Sequence, residues 1–286
     1  MTAAAADEQR GAELAEALAQ LRARIAAACA AAGRDPGGLT LVAVTKTYPA
    51  ADVVRLAGLG VRDIGENRDQ EAVAKAAEVA AAGVGVRWHF VGQLQRNKCR
   101  SVVGYADVVH SVDRVRLAEA LAAAARRHRE RPLDVLVQVS LDGDPKRGGA
   151  VPDRPTVSGG RAPTRTAAGP VRGLAAGPVR GLAAGPVRGL AAGPAEQGAS
   201  LGRVAEAVAA AEMLRLRGVM TVAPLGWEPE RAFARLAEVA AEFCVGYPTA
   251  TLISAGMSDD FDVAIAYGAT HLRIGSILLG KRAPLG

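Results

Sequence analysis

Residues 41–49 read Leu-Val-Ala-Val-Thr-Lys-Thr-Tyr-Pro, an apolar run that ends at a lysine and a proline turn. An apolar run without alternation, rich in β-branched side chains, is typical of a strand that is buried on both faces of a sheet. Because Lys46 ends this strand, we expect its side chain at the edge of the sheet. Desolvation there would favour an uncharged amine and carbonyl chemistry, although many lysines end strands simply to reach water.

Strand and helix patterns alternate along the rest of the chain. Predicted strands cover 39–45, 61–65, 86–91, 107–110, 133–140, 214–221, 250–254 and 271–274. Predicted helices cover 8–33, 49–59, 67–82, 94–103, 113–130, 200–212, 228–243, 258–267 and a short piece after 275. A leading helix followed by eight strand–helix units predicts a single (β/α)8 TIM barrel of the α/β class. The alternative is an open doubly wound sheet, but no GxGxxG follows the first strand.

One segment fits neither architecture. The octapeptide Gly-Pro-Val-Arg-Gly-Leu-Ala-Ala occurs three times in tandem from Gly169 to Ala192. These repeats supply too little apolar area to offset the entropy of ordering them, so residues 148–198 are predicted to be a disordered Gly/Pro/Arg-rich insertion. A docking arm is the alternative interpretation. The predicted barrel domain therefore covers 8–282, interrupted by this insertion.

Charge and cysteine content narrow the class of protein. The net charge of +6 is concentrated in residues 146–203, which hold nine Lys/Arg and two Asp/Glu, so the rest carries 26 basic and 27 acidic residues. A nearly neutral body predicts no specific nucleic-acid partner.

The three cysteines lack CxxC spacing, which predicts a reduced, cytoplasmic protein without a metal site. No apolar stretch reaches the roughly 18 residues of a membrane span, and no signal peptide is recognisable, so neither membrane contact nor export is expected.

Small and polar residues gather where the last two predicted strands end, which in such barrels is the active-site end. They are Ser254, Gly256, Ser258, Arg273, Gly275 and Ser276. Glycine turns with hydroxyls and a cation are typical of a phosphate site, although Ser258-Asp259-Asp260 is also a plausible helix cap. Strands one and eight are neighbours in a closed barrel, so this site would lie beside Lys46. A phosphorylated aldehyde fits both features, and pyridoxal 5'-phosphate (PLP) is the commonest such cofactor.

Seven motifs, in this order, resemble the pyridoxal phosphate homeostasis protein family. They are AVTKTYPA at 43–50, DIGEN at 63–67, WHFVGQLQRNK at 88–98, HSVDR at 110–114, LRLRGVMT at 214–221, ISAGMSDDFDVAI at 253–265 and HLRIGSILLGKR at 271–282. The resemblance implies a barrel of the alanine racemase N-terminal-domain type, which is fold type III among PLP proteins. It also implies that PLP is held as a Schiff base on Lys46.

The resemblance assigns further cofactor-binding residues by position. Ser254, Arg273, Gly275 and Ser276 would hold the phosphate, Gly256, Met257 and Ser258 would shape its pocket, and Asn67, His89 and Met220 would line the surroundings of the ring. For His89 a structural role as a half-buried strand residue with a backbone partner is the alternative. For His110 and His271 the structural interpretation is preferred.

The family resemblance implies intracellular PLP homeostasis without robust catalysis and therefore no catalytic residue. The alternative is a PLP-dependent amino-acid racemase, which needs a second acid/base group opposite the lysine. In alanine racemases this group is a tyrosine from a second domain. Only about twelve residues of the sequence follow the last predicted strand, so no such domain is expected. Of four tyrosines only Tyr48 is expected near the barrel mouth. The expected partners are PLP and PLP-dependent apoenzymes, with the protein a monomer or weak dimer.

Overall fold

A closed barrel of eight parallel strands forms the centre of the protein, in a computed structural model that describes residues 2–144, 147–153 and 199–280. The strands are β1 (Thr40–Val44), β2 (Asp63–Glu66), β3 (Arg87–Phe90), β4 (Val108–Val112), β5 (Leu133–Gln138), β6 (Leu214–Met220), β7 (Leu252–Ser254) and β8 (His271–Ile274). Each strand pairs with its neighbour in sequence, and β1 closes the barrel against β8. The predicted (β/α)8 barrel is confirmed, and the open sheet is wrong.

Helices surround the barrel. They are α1 (Ala3–Ala31), α2 (Ala50–Gly58), α3 (Asp69–Ala81), α4 (Cys99–Tyr105), α5 (Val115–His128), α6 (Leu201–Ala209), α7 (Pro229–Gly246), α8 (Phe261–Ala266) and α9 (Ser276–Leu279). The leading helix α1 buries Leu14, Leu18, Leu21 and Ile25, whose spacing places them on one helical face. This apolar face packs against α8, α9 and α2, so α1 covers the outside of the barrel where it closes.

The strands are buried on both faces. In β1 Val42, Ala43 and Val44 are buried, and all five residues of β4 are buried although His110 and Ser111 are polar. Strands of a parallel barrel are covered by helices outside and by packed side chains inside, so neither face of these strands requires polar residues. None of the described helices combines the length and apolarity that a bilayer crossing requires.

The chain after β5 differs from the sequence-based expectation. Residues 148–153, which were assigned to the disordered insertion, are ordered by backbone pairing instead. Ala150 N–H donates to Gln138 O at 2.7 Å and Ser140 N–H donates to Ala150 O at 2.9 Å, while Val151 bridges to Ser200. The backbone groups of this stretch thus complete the end of β5, a role that the Gly/Pro-rich composition did not reveal. The rest of the predicted insertion, 154–198, lies outside the described residues.

Candidate functional site

A cleft of about 620 Å³ opens at the C-terminal ends of the strands. Its lining comes from six of the eight strands and the segments that follow them: Val44, Lys46, Tyr48, Asn67, Val91, Gly92, Val222, Met257, Ser258, Asp259, Arg273, Gly275, Ser276 and Gly280. The volume and the mixture of apolar walls with a few polar groups are those of a small-molecule site. In a TIM barrel this end is also where ligands bind.

Lys46 is presented by a tight turn after β1. Thr47 has φ of 69°, and among the described residues it is the one non-glycine in the left-handed region. A β-branched residue adopts this conformation only where its surroundings hold it there. Tyr48 N–H donates to Thr45 O at 3.0 Å, and Thr47 N–H donates to Glu71 Oε2 at 3.2 Å. The turn therefore fixes the position of the lysine that lies between its anchoring residues.

A buried ion pair supports this turn from below. Lys75 Nζ lies 2.5 Å from Glu66 Oε1 and donates to Thr45 O at 2.7 Å, and Thr45 Oγ1 donates to the same carboxylate oxygen at 2.6 Å. Lys75 and Glu66 come from α3 and β2, and both are buried. Removing either partner would leave an uncompensated buried charge, which is strongly destabilising. The pair therefore persists, and its hydrogen bonds to Thr45 hold this residue against β2. This pair is not evident from the sequence, since its members lie nine positions apart on different elements.

Arg273 supplies a buried positive charge to the cleft. It is the third residue of β8 and is 6% exposed. Its guanidinium donates to Ser254 Oγ and to Thr221 O, each at 2.7 Å, and no carboxylate among the described residues lies within ion-pair distance. Burial lowers the pKa of Arg273 to about 10 while the charge of Asp260 opposes this, so the group stays protonated at neutral pH. A buried cation whose hydrogen-bond partners are neutral favours an anionic ligand in the adjoining cleft.

The turn between β7 and α8 depends on a glycine and an aspartate. Gly256 has φ of +86°, and a Cβ there would lie 2.8 Å from Ala264 Cβ. Asp260 accepts the Met257 N–H at 2.6 Å, and burial raises the pKa of this carboxyl while that hydrogen bond and Arg273 oppose the rise. The Asp260 side chain does not cap α8. The turn directs Met257 and Ser258 toward the cleft.

The loops after β2 and β3 meet at one side of the cleft. A Cβ on Gly92 would lie 2.1 Å from Asn67 O, so only glycine allows this close approach. Asn67 Oδ1 is buried and has no hydrogen-bond partner among the described residues. An unsatisfied acceptor costs about 1–3 kcal/mol, which makes Asn67 a group that a ligand donor would stabilise.

Replacing Gly92 with alanine is expected to destabilise the protein by about 1–3 kcal/mol, because the new methyl group forces the two loops apart. Gly104→Ala is the matched control, since no atom lies within 4 Å of its Cβ position on the exposed side of α4. That change should stabilise the protein by about 0.5–1 kcal/mol. Denaturant unfolding measures both, and equal stability of the two variants would show that the loops do not meet as described.

Seven of the eleven predicted cofactor residues line the cleft: Lys46, Asn67, Met257, Ser258, Arg273, Gly275 and Ser276. The other four lie behind the lining. Gly256 shapes the β7–α8 turn, Ser254 contacts Arg273, and Met220 is buried beside Val108 and Leu136. His89 lies deeper in the barrel, hydrogen bonded to the side chains of Asp63 and His110 rather than to a backbone partner. The cleft lining also contains seven residues that were not assigned, and all of them except Val222 occur within the quoted motifs: Val44, Tyr48, Val91, Gly92, Val222, Asp259 and Gly280.

Comparison with known proteins places this arrangement in context. The family model described as alanine racemase, N-terminal domain, matches residues 17–161. A pyridoxal phosphate homeostasis protein from Mycobacterium leprae is 39% identical, over 95% of this chain and 93% of that protein. PipY from Synechococcus elongatus, solved with PLP bound, is 29% identical with a TM-score of 0.64 and matches 93% of this chain and all of PipY. An alanine racemase from Corynebacterium glutamicum shares the fold at 14% identity and TM-score 0.59, over 96% of this chain and 63% of the racemase.

Proposed function

The chain belongs to the pyridoxal phosphate homeostasis protein family, and on that premise we propose that its cleft holds PLP through a covalent link to Lys46. When bound, PLP supplies an aldehyde that condenses with a lysine amine to a Schiff base. The proposal rests on the presence in one cleft of a lysine and a buried arginine whose hydrogen-bond partners are neutral. Lys46 follows β1 and Arg273 belongs to β8, and these two strands are hydrogen-bonded neighbours.

We assign the anionic end of the cofactor to the loops after β7 and β8. Arg273 contributes the positive charge, and the hydroxyls of Ser258 and Ser276 with the backbone at Gly275 contribute neutral donors around it. A phosphate requires several donors within a small space, and glycine lets the backbone approach it closely. Ser254 acts indirectly in this assignment, because its hydroxyl accepts from Arg273 Nη1 and is fully buried.

Asn67 and Met257 form the remaining walls in this proposal. The buried Oδ1 of Asn67 accepts a donor of the ligand, which removes the cost of leaving it unpaired. Met257 is 39% exposed at the rim, and a flat ring that covers it would remove apolar surface from water. Gly256 fits as a residue that shapes the turn, and Met220 and His89 fit as support behind the lining.

A carrier role without robust catalysis fits the cleft better than racemisation. Racemisation requires acid/base groups on both faces of the substrate carbon. Besides Lys46, Arg273 and the two serines, the ionisable lining side chains among the described residues are Tyr48 and Asp259. The Tyr48 hydroxyl donates a hydrogen bond to Gly280 O at 2.8 Å, and the Arg10 guanidinium lies over the Tyr48 ring. The hydroxyl proton is therefore already used in a hydrogen bond. Asp259 is exposed to solvent at the rim of the cleft.

Adding PLP to the cofactor-free protein tests the proposal. We expect a visible absorption band from the lysine-linked cofactor, and at a hundredfold excess over Kd the free energy of unfolding should rise by about 2.7 kcal/mol. A protein that stays colourless, and whose free energy of unfolding does not change when PLP is added, would contradict cofactor binding. Conversion of L- to D-alanine at rates of about 1–1000 per second would instead support the racemase alternative. Transfer of the bound PLP to a PLP-dependent apoenzyme, measured by the activity it gains, tests the proposed recipients.

A further inference from the structure

A continuous chain of hydrogen-bonded side chains crosses the barrel interior from the face opposite the cleft to the cleft itself. The polar chain, as we name it, consists of Asp63, His89, His110, Ser254 and Arg273. Asp63 is the first residue of β2, and its side chain is 24% exposed. The next three residues are fully buried, and Arg273 lines the cleft. The polar chain therefore joins solvent at one face of the barrel to the ligand site at the other.

Four short contacts make up the polar chain. His89 Nε2 lies 2.8 Å from Asp63 Oδ1, and His89 Nδ1 lies 2.9 Å from His110 Nε2. His110 Nδ1 lies 2.9 Å from Ser254 Oγ, which accepts from Arg273 Nη1 at 2.7 Å. Barrel interiors are ordinarily filled by branched aliphatic residues, and each buried polar group is costly unless it is fully paired. Here both ring nitrogens of each histidine in the polar chain have a partner, which makes the arrangement tolerable.

The carboxylate of Asp63 fixes the direction of every bond, because an ionised carboxylate only accepts. His89 therefore donates through Nε2–H and, as a neutral ring, accepts at Nδ1. His110 must then donate through Nε2–H and accept at Nδ1, where the hydroxyl of Ser254 donates. Ser254 in turn accepts from Arg273. All four bonds thus point from the cleft toward Asp63.

The protonation states agree with this direction. Burial lowers the pKa of His89 although Asp63 and Asp107 oppose it and Arg87 reinforces it, and burial lowers the pKa of His110 well below its ordinary value. Burial alone would raise the pKa of Asp63, but the hydrogen bond from His89 and the charges nearby outweigh it and lower it. The two rings are therefore neutral and the carboxyl ionised at neutral pH. His271, whose ring lies 6.2 Å from both rings, is neutral as well, since burial lowers its pKa to about 4.

We propose that Asp63, through this polar chain, acts as the remote counter-charge that holds the Arg273 guanidinium in position and charged at the cleft. Arg273 has no carboxylate within ion-pair distance in the part of the chain that the structure describes. The charge of Asp260 acts on it from a greater distance, and Asp63 is the carboxylate to which these hydrogen bonds connect it. Hydrogen bonds that point the same way polarise one another, so the negative charge of Asp63 increases the acceptor strength of Ser254. Asp63, His89 and His110 are then positioning residues for ligand binding. The inference rests on the proposed function only in taking the ligand to be PLP.

The first test reads the histidine tautomers in the cofactor-free, full-length protein. Long-range ¹⁵N–¹H NMR spectra distinguish Nδ1–H, Nε2–H and doubly protonated rings. We expect His89 and His110 both to be neutral Nε2–H tautomers at pH 7. A doubly protonated ring or an Nδ1–H tautomer at either position would overturn the proposal, and this readout requires no variant to fold.

The second test is Asp63→Asn, which removes the charge but keeps an oxygen that can accept from His89. If Asp63 only holds His89 in place, the Kd for PLP should not change in this variant. If the charge of Asp63 acts on Arg273, the Kd for PLP should rise about fivefold or more, as expected for coupled separated sites. Asp134→Asn is the matched control, because this carboxylate lies on β5 near the same face and binds Arg87 outside the polar chain. Thermal unfolding verifies that both variants fold.

An unchanged Kd in a folded Asp63→Asn protein would overturn the proposal, and so would an equal rise in Asp134→Asn. A parent protein that does not bind PLP at all would contradict the proposed function instead. In that case the tautomers of the cofactor-free protein still decide whether the polar chain has the proposed direction.

Discussion

Replacing Lys46 with alanine is expected to abolish covalent attachment of PLP and leave the barrel folded. The side chain at this position is only partly buried, while Thr45 and Tyr48 hold the turn through their own hydrogen bonds. Without the amine no Schiff base can form, although the charged and hydroxyl groups of the cleft would still attract the phosphate. Intact mass measured after borohydride reduction should change from one pyridoxyl group per chain to none.

Lys98→Ala is the matched control for this experiment. Lys98 is half-buried, lies 3.7 Å from Asp69 and is absent from the cleft lining. Its removal should leave the reduced adduct at full yield. A full adduct on Lys46→Ala protein would mean that another lysine carries the cofactor.

The second large effect is expected from Arg273→Met, which removes the positive charge but keeps a long side chain. Truncating a buried, hydrogen-bonded charge that meets a ligand costs about 2–4 kcal/mol, which corresponds to about a 30- to 1000-fold rise in the Kd for PLP. Equilibrium titration followed by absorbance measures this change. Thermal unfolding separates it from a loss of folding, because Ser254 and Thr221 O also lose their donor.

Arg217→Met serves as the comparison for Arg273→Met. Arg217 lies on β6, is half-exposed near Asp134 and does not line the cleft. Its substitution should change the Kd for PLP by no more than about twofold, in keeping with the small energies of exposed ion pairs. Equal weakening by both substitutions would indicate that overall charge, rather than the position of Arg273, attracts the ligand.

The barrel could be predicted from the sequence because strand and helix patterns alternate eight times along the chain. β1 contains too few polar residues for a strand with a solvated face, which indicates a parallel, helix-covered sheet. The boundaries of α8 could not be predicted. Its predicted start at 258 came three residues early, since the carboxylate of Asp260 binds the Met257 N–H and delays the helix to Phe261.

The cleft residues followed from the rule that strand ends line the site, and the same rule explains the residues that lie outside it. His89 and Arg273 are each the third residue of their strand, but only Arg273 reaches the cleft. The strands of a closed barrel are staggered, so the height of an inward side chain depends on the register between strands. That register is set by pairing across the whole barrel, and a single strand's sequence does not contain it.

The polar chain was beyond prediction for a related reason. Its five members come from β2, β3, β4, β7 and β8, and consecutive members lie 19 to 144 positions apart along the sequence. His89, Ser254 and Arg273 were assigned to the surroundings of the cofactor, but nothing in the sequence connects them to one another or to Asp63 and His110. Only the closure of the barrel brings two histidines, a serine and an arginine into one line that ends on a carboxylate.

Peptide mapping of the parent protein after PLP addition and borohydride reduction identifies the lysine that holds the cofactor. We expect a single pyridoxyl-modified peptide that contains Lys46, with the modification on that residue. A modified peptide that contains Lys75 or Lys98 instead, or the absence of any modified peptide, would contradict the proposal that the lysine after β1 holds the cofactor.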